Sequence, residues 1–144
     1  MSANEMELGP VDIVVSGFPP DAPRTGESIP LFVDLVDRGI IRVLDVMIVE
    51  KTADGTVARL EISELGGQVS AELDVFEGAS TGMIGDEDAS AAAEGMQSSE
   101  AAVLICFENA WAAPFVSSVL RNGGRMLAFE RVPAQDLLDV VSAL

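Results

Sequence analysis

The chain has 144 residues, with 24 Asp plus Glu against eight Lys plus Arg, one Cys, one Trp and neither His nor Tyr. The missing His removes the commonest general base, the proton partner of a Ser or Cys nucleophile and the usual zinc or iron ligand, while a lone Cys forbids an internal disulfide. A formal charge of −16 opposes nucleic acid and anionic membrane surfaces, which are bound by clustered Lys and Arg.

At 15.1 kDa, 49% hydrophobic residues and a mean hydropathy of +0.35, the chain can build one core and should expose roughly 7,000 Å² once folded. Residues 1–8 read as a flexible polar tail and 9–144 as a single α/β domain. The longest apolar run, Ala101 to Phe107, spans 7 residues, against the roughly 20 needed to cross a bilayer. The acidic start lacks a basic segment leading into an apolar one, so a cytoplasmic protein is expected. Lys51 stands alone against seven Arg, a composition typical of a GC-rich genome or a salt-adapted proteome.

In chain order, Val11 to Phe18 reads as a strand stopped by Pro19-Pro20. A helix over 28–38 follows, with Ser28 as its cap, Ile29, Phe32, Val33 and Val36 at helical spacing, and Gly39 as its stop. Ile41 to Lys51 and Thr56 to Ser63 form a hairpin about Asp54-Gly55, whose second arm alternates as an edge strand does. Between Gly66 and Glu100 a short helix with Val69, Leu73 and Phe76 and a second starting at Asp86 are expected. Ala101 to Glu108 is an apolar strand, Ala110 to Asn122 a helix ended by Gly123-Gly124, Arg125 to Val132 a last strand, and Pro133 opens a terminal helix with Leu137, Val140, Val141 and Leu144 on one stripe.

Two strand-helix-strand units therefore echo each other, 11–50 and 101–132. Right-handed crossovers would place the strands of each unit parallel. The expected fold is an α/β sandwich (α+β class), ferredoxin-like, with a mixed sheet of about five strands and three to five helices. The strands at 41–50 and 101–108 are apolar on both faces, so each face needs a cover. In the first, strict alternation groups Leu44, Val46 and Ile48 against Val43, Met47 and Val49, with Asp45 as the interruption. Helices covering part of the second face together with a homodimer are the expected solution.

Four side chains are weak ligand-binding candidates. At the strand-to-helix turn Phe107-Glu108-Asn109-Ala110-Trp111, Asn109 could bond a ligand, Trp111 stack on it and Glu108 take a proton. The same residues also suit an N-cap (Asn109), a helix-dipole partner (Glu108) and a core stripe of Trp111, Phe115 and Val119. Asp45, set in a two-faced strand, is either a functional carboxylate or the partner of Arg42 or Arg125. Asp86-Glu87-Asp88 fits a helix first turn better than a metal site, and Gly78 to Gly82 lacks the ending of a phosphate loop. No catalytic residue, metal or cofactor is assigned.

Gly9-Pro10-Val11-Asp12, Gly39-Ile40-Ile41-Arg42-Val43-Leu44-Asp45, Asp54-Gly55-Thr56-Val57 and Glu108-Asn109-Ala110-Trp111-Ala112 together resemble a bacterial family of uncharacterised proteins of about this length. That resemblance spans nearly the whole chain and implies no activity or site; Pro114 and Gly95-Met96 depart from its pattern. The functional expectation is a non-catalytic, cytoplasmic binding or regulatory domain, acting as a homodimer. The alternatives are a small dimeric enzyme of the ferredoxin-like kind and an acidic domain that holds a basic protein partner.

Overall fold

The computed structural model describes residues 7–23, 27–65, 73, 76 and 78–144, without the side chains of 63 and 65. The helix expected around Val69 lies mostly outside the described residues. Leu73 and Phe76 are described, and both are buried.

β1 (Val11–Phe18) leads to α1 (Ser28–Asp37), then to β2 (Arg42–Lys51) and β3 (Val57–Leu60). A 3-10 turn at Ile62–Leu65 follows, then α2 (Asp86–Glu94), β4 (Ala101–Glu108), a second 3-10 turn at Ala110–Ala112, α3 (Ala113–Arg121) and α4 (Ala134–Ser142). The second hairpin arm is shorter than expected, because the chain turns at Ile62 instead of running on to Ser63. α1 is preceded by Glu27, so Ser28 is its first residue and makes no cap bond.

The strands form a four-stranded sheet in the order β1-β4-β2-β3. Every neighbouring pair is antiparallel. β1 and β2 run parallel to each other, as the first strand-helix-strand unit requires, but β4 is inserted between them. The expected mixed sheet of about five strands is thus an antiparallel one of four. The second unit lacks its return strand: residues 125–132 carry no regular structure, although α4 follows where expected.

Both faces of the central strands are covered by helices of the same chain. On one face, Ile48 of β2 with Val103 and Ile105 of β4 packs against Ile29, Phe32, Val33 and Val36 of α1. On the other, Met47, Val49, Ala102, Leu104 and Cys106 pack against Ala89, Ala92 and Ala93 of α2 and Met96 beyond it. The result is a three-layer α+β sandwich, which departs from helices gathered on one side of a sheet.

A bulge corrects the strict alternation in β2. The register with β4 slips between Val43 and Asp45, so Val43 joins Val46 and Ile48 on the α1 face while Leu44 joins Met47 and Val49 on the α2 face. One extra residue reverses the facing of everything before it.

The helix ends match in detail. After α1, the N–H of Gly39 bonds the carbonyl of Val36 at 3.0 Å and that of Ile40 bonds Leu35 at 2.9 Å. After α3, Gly123 bonds Leu120 at 3.2 Å and Gly124 bonds Val119 at 2.9 Å. Both are Schellman closures turning on a left-handed glycine, with φ +71° at Gly39 and +83° at Gly123. Lys51, the one lysine, ends α2 by donating its Nζ to the carbonyls of Ala93 at 3.0 Å and Met96 at 3.2 Å, where a cation also suits the negative end of the helix.

In the β2–β3 turn the Asp54 carboxylate accepts from the Thr52 hydroxyl, the Thr56 backbone N–H and the Thr56 hydroxyl. These bonds, the Thr52 hydroxyl foremost, lower its pKa from 3.8 to about 2. Because the folded value lies below the unfolded one, the turn's contribution to stability is complete above pH 3.8 and is lost as the pH falls through about 2. An NMR titration should find the Asp54 midpoint near 2. In Asp54→Asn the turn should be weakened above pH 4, and its difference from the parent should vanish on acidification; an Asp54 midpoint at the ordinary value would refute this.

Candidate functional site

Three of the segments that carry the family resemblance meet at one end of the sheet. The Glu108 carboxylate, on the last residue of β4, accepts the backbone N–H of Gly9 at 2.7 Å and pairs with the Arg42 guanidinium at 2.9 Å. Glu108 is buried whereas the Arg42 side chain is 53% exposed, so solvent screens much of this ion pair and the bond to Gly9 is the better insulated of the two. The Asn109 amide donates to the Pro10 carbonyl at 3.0 Å and to the Asp12 carboxylate at 2.8 Å. The Asn109 N–H returns to Pro10 at 2.8 Å, and that of Trp111 reaches the Ile40 carbonyl at 3.0 Å.

This arrangement is a clasp. It locks the entry of β1 and the start of β2 onto the end of β4. Asn109 precedes the 3-10 turn, yet its side chain makes no cap bond; it reaches across to β1 instead, which corrects the expected N-cap. The Trp111 indole N–H reaches Asn109 Oδ1 at 3.3 Å, and its ring leans on Phe129 with centroids 6.2 Å apart. Trp111 and Phe115 are 58% and 62% exposed, so the expected core stripe of Trp111, Phe115 and Val119 faces outward.

Asp45 lies apart from the clasp. It is 2% exposed, and its two oxygens accept the Ile84 N–H at 2.9 Å and its neighbour Val46's N–H at 3.1 Å. The expected partnership with Arg42 or Arg125 is not formed: Arg42 is engaged by Glu108, and Arg125 sits in the exposed segment after α3. Asp45 shares the α2 face with Met47 and Val49, where it pins the loop leading into that helix. Beside it in the ladder, Cys106 is held above its usual pKa by burial first, then by the negative charges of Asp45 and Asp88. That thiol is a packed hydrophobe with little thiolate.

In the Asp86-Glu87-Asp88 triplet, Asp88 accepts the Gly85 N–H at 2.9 Å, closing the first turn of α2. Among the described residues no group of three or more His, Cys, Asp or Glu is arranged to hold a metal ion, and no helix is long and apolar enough to cross a membrane. Nor is any buried side-chain nitrogen or oxygen without a hydrogen-bond partner.

Five surface pockets of 220–290 Å³ are lined by other residues than Asp45, Glu108, Asn109 and Trp111. The most apolar, about 290 Å³, is a groove between β1 and α1, bounded by Val14, Phe18, Ile29, Phe32 and Phe107 and, among the described residues, lined by no ionisable side chain. The sequence signalled its parts as core positions, and what it did not signal was that β1 would be left uncovered. The candidate residues thus fall into a clasp and a loop anchor, both held by structural bonds.

No curated protein and no solved structure matches the chain. A family model does match, over residues 7–144. The span takes in the clasp, the sheet and helices α1 to α4, and on that basis the chain belongs to DUF6325, a family of unknown function.

Proposed function

We propose that the chain is a non-catalytic binding domain that works as a homodimer through its last quarter, residues 111–144. The observation that carries this reading is uncovered area. The chain exposes 9366 Å², about 2,400 Å² beyond the roughly 7,000 Å² of a compact protein of its mass. That excess is about three times the roughly 800 Å² that each partner buries in a stable interface.

The exposed apolar side chains are concentrated in one stretch. Of twenty large apolar side chains exposed among the described residues, twelve lie in 111–144, and α4 buries none of its residues. The same stretch is electrically neutral, with Arg121, Arg125 and Arg131 balancing Glu130, Asp136 and Asp139, so the whole formal charge of −16 resides in residues 1–110. A basic partner would be drawn to those acidic residues and not to this apolar quarter. Two copies meeting at the neutral region avoid most of their mutual repulsion.

Light scattering should give twice 15.1 kDa, and the dimer should survive 1 M salt, where the screening length falls to about 3 Å. A monomer at up to about 100 µM, where even a micromolar dimer would form, would refute the reading. Dissociation by salt would assign the contact to charge instead.

A further inference from the structure

The two outer strands of the sheet are treated differently. β3 is four residues long and carries Arg59, the kind of short, charged edge that resists pairing with another chain. β1 is eight residues long, bonds β4 on one side only, has Asp12 as its single charge, and leaves Val11, Ile13, Val14 and Val15 exposed. A bare apolar edge of that length is a template for one more strand.

The same chain holds a strand without a sheet. Residues 125–132, Arg-Met-Leu-Ala-Phe-Glu-Arg-Val, are rich in strand formers and match β1 in length. They are exposed, and their backbone groups make no bond to the backbone of any described residue. Within the protomer the segment meets the clasp end of the sheet, through Arg131 on Asp12 at 2.8 Å and Phe129 on Trp111, and Arg131 also borders a shallow pocket along Ile13, Val14 and Val15. Val11, Ile13, Val14 and Val15 of β1 stay exposed, and the groove beside α1 stays open.

We infer that residues 125–132 of one copy add as a fifth strand to the free edge of β1 in a second copy, and that α4 then lays Leu137, Val140, Val141 and Leu144 over the groove between β1 and α1. This rests on the homodimer reading and specifies its geometry. Eight backbone donors and acceptors on each side that now face water gain partners, and the apolar stripe of α4 meets an apolar groove of about 290 Å³. Each copy gives one arm and receives one, so the exchange closes at two chains and leaves no bare β1 edge for a third.

Hydrogen exchange on the full chain, above and below the concentration of half-dissociation, tests the inference together with Ala128→Pro. Proline removes one N–H from the strand; in the protomer Ala128 is exposed and bonds nothing, so folding of the monomer should be unaffected. The expected results are every second amide of 126–132, those turned toward β1, slowed at least about tenfold in the dimer, and a dissociation constant raised about tenfold or more by the proline, equivalent to about 1.4 kcal/mol. Free exchange of that segment in an intact dimer would refute strand addition and leave the homodimer standing. Protection that persists in the diluted monomer would place the segment on its own β1 and refute the exchange. A chain that is monomeric throughout would remove both.

Discussion

Gly9→Ala is expected to destabilise the protein by about 3 kcal/mol or more, with the clasp coming apart. A methyl at residue 9 would stand 2.0 Å from the Asn109 carbonyl oxygen and 2.9 Å from its carbon. Those are backbone atoms at the end of β4, so no side-chain rotation relieves the overlap. The start of β1 must retreat, and with it go the 2.7 Å bond from Gly9 to Glu108 and the bonds that tie Pro10 and Asp12 to Asn109. Glu108 would then keep only its half-solvated arginine. Gly17→Ala is the comparison: there the added methyl would lie 2.5 Å from a carboxylate oxygen of Glu100. That is the end of a buried side chain that also holds the Gln97 N–H at 2.7 Å, so a shift of that side chain relieves the overlap and the cost should be about 1 kcal/mol, well below that at Gly9. Urea unfolding of both variants decides the matter, and equal losses would show that the clasp does not hold β1 in place.

Much of this fold was legible because local chemistry and tertiary context agree. α1 and α3 carry the glycine stops that their Schellman closures use, and the turn at Asp54-Gly55 is built by hydroxyls adjacent in the chain. The two-faced apolar strands are covered on both sides, as they had to be, by α1 and α2. What could not be read was decided at a distance. The bulge beside Asp45 is a property of the β2–β4 pairing and reverses the facing of Val43 and Leu44, and the bond that occupies Asp45 comes from Ile84, 39 residues away in the chain.

Residues 125–132 have a strand's composition and no regular structure, and α4 forms with its apolar stripe exposed; a local pattern marks side chains as apolar without saying what, if anything, covers them. The site candidates were chosen for chemical potential, and three of them, Glu108, Asn109 and Trp111, do converge. They converge on backbone groups of Gly9, Pro10 and Ile40, partners whose sequence separation no local pattern reveals.

Asp45→Ala is expected to cost about 3 kcal/mol, because it leaves the buried Ile84 N–H without an acceptor and a void where a side chain 2% exposed had been. Asp45→Asn should recover only part of that loss. Its amide offers one oxygen where the carboxylate uses two, so one of the two N–H groups, of Ile84 or of Val46, would face a donor. The loop before α2 should loosen first, so hydrogen exchange at Ile84 should accelerate in both variants before the central strands are affected. This ordering separates an anchor from a reactive carboxylate. A group kept for chemistry at the expense of stability would, on removal, leave the protein equally or more stable and Ile84 as protected as before, whereas an anchor loses both together. Stability unchanged in Asp45→Ala would therefore overturn the structural role assigned to this residue and return it to the list of functional carboxylates.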